Sequence, residues 1–162
     1  MVAVRIKVSG LEQMQRRTAA MHARAADLSP VLAPAAQTLV TVIQKDSFGA
    51  QSTPGGKPWA ELADSTIARR RNKGRISILQ DTGQMKSSVF ARAIGGTRIQ
   101  FGSSDKAAKV NTHLFGSKDV PARPFLPVDE SGTVDFESGR ARTWRERLVA
   151  RIRRYIETGR VT

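Results

Sequence analysis

Residues 88–102 read "SVFARAIGGTRIQFG". Two runs of alternating apolar and polar residues flank a Gly95–Gly96 pair. Alternation of period two suits a half-buried strand, because successive side chains point to opposite faces. Two adjacent glycines tolerate the positive φ that tight hairpin turns require. The stretch predicts an antiparallel hairpin turning at Gly95 and Gly96.

Outward toward the N-terminus the pattern changes twice. Val2, Val4, Ile6 and Val8 alternate with Ala3, Arg5 and Lys7, predicting another strand that Gly10 breaks. From there Leu11, Met14, Thr18, Met21 and Ala25 form a narrow stripe at helical spacing. Ser29 before Pro30 reads as a cap followed by a first-turn proline. Val31, Leu32, Ala35, Leu39, Val42 and Ile43 then share one helical face. Pro34 lacks a backbone donor, so this helix is kinked there or begins there. The prediction is one long bent helix, or two in series, ending near Phe48. Residues 49–58, "GAQSTPGGKP", are almost all turn formers and read as a flexible loop. "WAELADSTIARRRNK" follows, with Asp64 or Ser65 as a cap and Ile67 facing inward. "RISILQDTGQMKSS" gives a short apolar run and a turn capped at Asp81–Thr82.

Beyond the hairpin come a short Ala-rich turn (107–115), Gly116, the proline segment "VPARPFLPVD" and a last helix. That helix places Trp144, Leu148, Ile152, Tyr155 and Ile156 on one arc, with Arg147, Arg151 and Arg154 beside it. The fold class expected is α+β: a small, mainly antiparallel sheet with a hairpin, packed against a long N-terminal helix and a C-terminal helix. One domain over 1–162 is expected, its Arg-rich C-terminal helix spanning 138–162. A chain of 162 residues, 40% hydrophobic, can bury one ordinary core.

Composition excludes several kinds of chemistry. Cysteine is absent, which removes disulfides, thiolate zinc sites and thiol catalysis. The opening "MVAVRIKVSG" lacks the pattern of a signal peptide, and no apolar run approaches the roughly 18 residues of a membrane helix, so a soluble chain is expected. Asp81-Thr82-Gly83 spells the aspartic-protease triplet, but that chemistry needs two such aspartates sharing a proton. Gln80 and Gln84 flank the triplet here, and one side-chain oxygen capping a turn explains it. "SSDK" (103–106) has no supporting motif. Neither His22 nor His113 has a ligand at metal spacing, and His113 reads as a hydrogen-bonded structural residue. "GGTRIQFG" opens no helix and is no phosphate loop.

Charge is the strongest bulk signal: 27 Lys+Arg stand against 14 Asp+Glu, a formal +13. Such a field attracts polyanions. Residues 138–162 hold eight Arg and two Glu, and 65–75 hold five basic residues and no acid. Arg69, Arg70, Arg71, Lys73 and Arg75, with Arg147, Arg151 and Arg154, are candidate contacts to DNA or an acidic partner. The bland alternative is a pair of solvated helix faces, since cations favour helix C-termini.

Phe48, "TPGGKPW", "LADSTIARR", "ILQDTGQMKSSV", "NTHLFG" and "VPARPFLPVDE" occur in an order and spacing that resembles the phage virion morphogenesis (tail completion) family, which includes the Mu-like protein G group. The similarity spans roughly residues 44–130. It implies a non-enzymatic protein, without cofactor or metal, that finishes the tail and helps join it to the head. Related proteins form hexameric rings at the top of the tail tube. The implied partners are therefore further copies of the chain, the tail tube protein, head-tail connector proteins and the genomic double-stranded DNA in the channel, with no membrane. The implied location is the neck of the virion, after assembly in the host cytoplasm. In this light Pro121, Arg123, Pro124, Phe125 and Leu126 are candidates for a stiff arm that anchors in a sheet or a neighbouring subunit. Arg123 would pair with a carboxylate across the contact. The alternative is that the arm closes the chain's own core. The rival function is a nucleic-acid-binding module using the basic segments.

Overall fold

A computed structural model describes residues 9–71, 76–129, 131–137 and 139–161. Six helices and one hairpin follow in order: α1 (Leu11–Ala26), α2 (Ser29–Ile43), α3 (Asp64–Arg71), α4 (Gln84–Ser87), β1 (Val89–Ile94), β2 (Arg98–Ser103), α5 (Ala107–Phe115) and α6 (Gly139–Thr158). The class is α+β, and the sheet of the described residues is two-stranded and antiparallel. The expected strand at 2–8 lies outside the described residues.

α2 is the central element. Its predicted apolar face is buried at Val31, Leu32, Ala35, Leu39 and Ile43. It packs against the hairpin and against α6. At its C-terminal end the helix widens into a π turn, Gln44–Gly49, with bonds spanning five residues: Ala50 N–H to Lys45 O at 3.1 Å and Ser52 N–H to Ser47 O at 3.0 Å. The widened turn puts Ser47 and Phe48 inside. The core they enter also holds Leu39, Trp59, Met85, Val89, Val110, Leu114, Phe125, Leu126 and Trp144. α6 reaches the sheet through Phe136, whose ring centroid lies 5.1 Å from Trp144 and 5.9 Å from Phe101.

Several local expectations change. Of its two expected forms the N-terminal helical stretch takes the second, two helices in series, bent by 41° at the break. Only α2 covers the sheet, while α1 packs on α6 and buries no residue fully. Leu11 and Met14 stay 50% and 62% exposed. Ser29 is not the cap, a position held by Leu28: the Asp27 carboxylate accepts the Ser29 N–H at 2.9 Å, and the Ser29 side chain first and this backbone bond second hold the carboxyl below its ordinary range. α2 neither starts at nor stops before Pro34, but runs through it. Residues 107–115 form a nine-residue helix, not a turn, because Val110 and Leu114 sit one turn apart on a buried face. Loop 49–58 is closed by a bridge between Ser52 and Pro58.

The hairpin forms with Val89 opposite Ser103 and Ile94 opposite Arg98. Gly95 and Gly96 have φ of 58° and 71°, as expected. The turn also docks. Leu28 N–H donates to Gly96 O at 2.8 Å, so the hairpin tip is tied to the α1–α2 junction. A Cβ on Gly96 would come within 2.7 Å of Asp27 Oδ1, whereas one on Gly95 would meet open space. Gly95→Ala is therefore expected to cost only the left-handed strain, about 1–2 kcal/mol. Gly96→Ala adds a collision that the Asp27 carboxylate must escape by giving up its bond from Ser29 N–H, so chemical denaturation is expected to show the larger cost of the two.

Candidate functional site

The proline segment is a docked arm. Phe125 is 0% exposed and Leu126 is buried beside it. Phe125 lies 5.2 Å from Phe48 between ring centroids, and Phe48 meets Trp59 edge-on at 5.7 Å. Prolines cannot donate, and an extended segment without a partner strand leaves its carbonyls to be satisfied by side chains. Trp59 Nε1–H donates to Pro124 O at 2.8 Å, and the Ser47 hydroxyl donates to Phe125 O at 3.2 Å. The arm in turn donates Arg123 N–H to His113 O at 2.7 Å.

Of the five arm candidates, Phe125 and Leu126 anchor in the chain's own core, which leaves them nothing to offer a neighbour. Arg123 is only 6% exposed, and its fork donates from Nε to Ala60 O at 2.8 Å and from Nη2 to Glu61 O at 2.7 Å. It is a clamp on the loop leading into α3, not a free partner for a distant carboxylate. Burial first, and the Arg70 charge second, push its guanidinium down from its ordinary value. Pro121 is exposed and Pro124 half-buried.

The quoted motifs converge on this dock. Gln80 Nε2 and Gln51 Nε2 both donate to Phe48 O, at 2.8 and 2.9 Å, and Gln51 Oε1 accepts the Ile78 N–H at 2.7 Å. Thr82 Oγ1 accepts the Gln84 N–H at 3.3 Å and so braces the turn entering α4, whose N-cap position is Gly83. Asp81 instead lies 3.8 Å from Arg70 Nε. Gln51 and Gln80 were not singled out as site residues by the sequence. Their partners are backbone groups of Phe48 and Ile78, which no spacing rule announces.

The basic candidates separate by environment. Arg69 is exposed. Arg70 turns inward, its side chain 13% exposed, and donates to Ser77 O at 3.1 Å. The Arg71 side chain, Lys73 and Arg75 lie outside the described residues. On α6, Arg142 pairs with Glu146 at 2.9 Å and Arg145 pairs with Glu137. Arg147 and Arg151 have no acid within ion-pair reach among the described residues, and as like charges one turn apart they oppose the helix slightly. Both line a groove of about 290 Å³ between α2 and α6, with Arg140 beside them and Ala35, Val42, Trp144 and Leu148 among its apolar lining. Arg140 Nη1 donates to Asp46 O at 3.0 Å. Arg154 is exposed on α6 but does not line the groove.

The model of the phage virion morphogenesis family matches residues 9–141, from the start of α1 into the first turn of α6. No curated protein and no solved structure matches the chain significantly. The matched region is most of the 162 residues, so the chain belongs to the phage virion morphogenesis family, a family of virion-associated structural proteins.

Two outcomes follow for stability. Phe125→Ala should cost about 3–5 kcal/mol, since the cavity is walled by aromatic rings that cannot collapse into it. His113 supplies a pH dependence. Burial, and then the Arg123 and Lys109 charges, hold its ring below the ordinary value near 6.5. The unfolded chain thus binds a proton that the folded chain refuses, and stability falls as pH drops below that value. In phosphate-free buffer, His113→Gln should flatten this part of a stability-against-pH curve and leave the carboxylate region unchanged.

Proposed function

We propose that this member of the phage virion morphogenesis family completes the phage tail and helps join it to the head, acting by assembly as a ring, hexameric in its closed form, at the neck of the virion. Family membership supports the morphogenetic role. The α2–α6 groove carries the more specific part. A rim of Arg147 and Arg151 over an apolar lining fits an acidic, amphipathic segment of a partner, which could fill the groove and neutralise the rim at once. A DNA phosphate chain would meet the arginines and leave the apolar lining uncovered. The tail tube protein and the head-tail connector proteins are the partners that this position in the particle would offer.

Ring geometry is compatible with the genome's passage. A domain of this length behaves as a globule roughly 39 Å across, and six in a circle leave a hole of similar width, enough for a duplex. Six copies of +13 make about +78, a self-repelling ring unless an acidic surface or a polyanion screens it. Because Phe125 and Leu126 are occupied internally, ring contacts fall to faces that keep apolar side chains exposed, such as Leu11 and Met14 of α1 and Val149 of α6.

Gel filtration should give about 106 kDa, six copies of 17.7 kDa. A persistent monomer under assembly conditions rejects the ring. Arg147→Glu with Arg151→Glu should leave the fold intact by circular dichroism, abolish the Trp144 emission change on adding tail tube or connector protein, and yield unjoined heads and tails. If that variant gives a normal titre, the groove has no joining role. If instead the wild-type chain retards duplex DNA with steep salt dependence and the variant does not, the nucleic-acid reading takes its place.

A further inference from the structure

Beside the docked arm lies a cavity of about 110 Å³, whose lining includes Arg70 of α3, Asp81, Lys109 and His113 of α5, and Arg123. Two of these residues bury a polar atom with no hydrogen-bond partner among the described residues: Arg70 at Nε and His113 at Nδ1. Buried polar atoms of this kind are nearly always satisfied by protein, by water or by an ion. Charge decides between the last two. Lys109 is neutralised by Asp105, 2.6 Å away. Arg123 is buried against two carbonyls, which accept its hydrogen bonds without cancelling its charge. Arg70 has the Asp81 carboxylate at 3.8 Å. Among the described residues two guanidiniums therefore face one carboxylate, and burying an unmatched cation is expensive. A water would satisfy the orphan atoms and leave the charge.

We propose that this cavity is an oxyanion site, taking a carboxylate or phosphate group on Arg70 Nε and His113 Nδ1, with Arg123 supplying the opposing charge. The His113 ring can carry its proton on Nδ1 and so donate while neutral. Arg70 approaches from α3, His113 from α5 and Arg123 from the arm, so a bound anion would tie three separate segments together. The same chemistry can come from a free ion or from an acidic side chain of a second copy. The site stands whether or not the chain forms a ring.

The chain has two histidines, and His22 is exposed on α1, far along the sequence from the cavity, which provides an internal control. Inorganic phosphate is titrated into the full chain at fixed pH, with chloride adjusted to hold ionic strength constant, while both imidazole Cε1–H signals are followed by NMR. The His113 signal should move saturably and that of His22 should not. Phosphate should also raise the pH at which His113 protonates, against the Arg123 and Lys109 charges that face it and beside Asp105, Asp81 and Arg70. Arg70→Gln should weaken the apparent affinity about tenfold or more, the worth of one charge-assisted hydrogen bond. Should that variant fail to fold, the wild-type titration still decides.

A second arm separates the sources. In phosphate-free buffer, a His113 signal that changes with protein concentration, and that phosphate competes back, identifies a neighbouring chain's carboxylate. A concentration-independent signal that responds to phosphate identifies a free ion. If both histidines drift together without saturation, the result is an adventitious ion only and the proposal is overturned. It is equally overturned if neither signal moves.

Discussion

Phe125 sits between Phe48 and the backbone of its own arm, and Phe48 carries Trp59 on its edge. This contact joins three segments that no helix or sheet pairing connects: the π turn after α2, the loop entering α3, and the arm. Ser47 and Phe125, which bond across it, are 78 positions apart. Closing so long a loop costs chain entropy before any contact returns it. Among the described residues the sheet is a two-stranded hairpin, which is marginal by itself and could not hold such a closure. The aromatic knot therefore does in this fold what a larger sheet does elsewhere, and the hairpin, α5 and α6 are arranged around it.

The knot forces a second constraint. Its segments are irregular, so their carbonyls lack ladder partners and must be met by side chains. Trp59, Ser47, Gln51, Gln80 and Arg123 each donate to a backbone oxygen in or beside it. The polar letters of the family motifs thus serve the backbone. That assignment also explains the poor fit of the protease-like triplet to catalysis: Thr82 braces the turn entering a one-turn helix and Asp81 lies near a guanidinium. Away from the knot, charge is handled differently. Arg142 and Arg145 are matched within the chain, while Arg147 and Arg151 stand over the apolar lining of the groove.

The hairpin, the buried face of α2 and the inward arc of α6 were legible in the sequence, because each rests on a local period that burial enforces. Residues 107–115 were misread as a turn because alanines carry little hydrophobic signal, although Val110 and Leu114 hold the correct spacing. The Ser29 cap was misplaced by one residue: Leu28 holds the N-cap position without a side-chain bond, and its N–H donates to Gly96 O of the hairpin, a partner that no local pattern announces. Phe125 and Leu126 were legible as anchors, but a sequence does not say whose surface an anchor enters. The inward turn of Arg70 and the carbonyl clamp of Arg123 were hidden for a related reason. Their partners are backbone atoms and charges brought close only by the closed fold.

α1 and α6 are held together across nearly the whole chain. The Arg24 guanidinium donates to Ile156 O at 2.8 Å and to Glu157 O at 3.3 Å, where the last turn of α6 leaves carbonyls without helical partners. Arg24 thus acts as a C-cap supplied from 132 positions away. During synthesis α1 leaves the ribosome more than a hundred residues before its packing partner α6. Until then the half-buried Met21 has no helix to rest on, and α1 is an amphipathic segment without a home. Completion of α6 is therefore the event that commits the two helices to each other. A chain interrupted before Tyr155 would carry a formed knot and an unattached first helix.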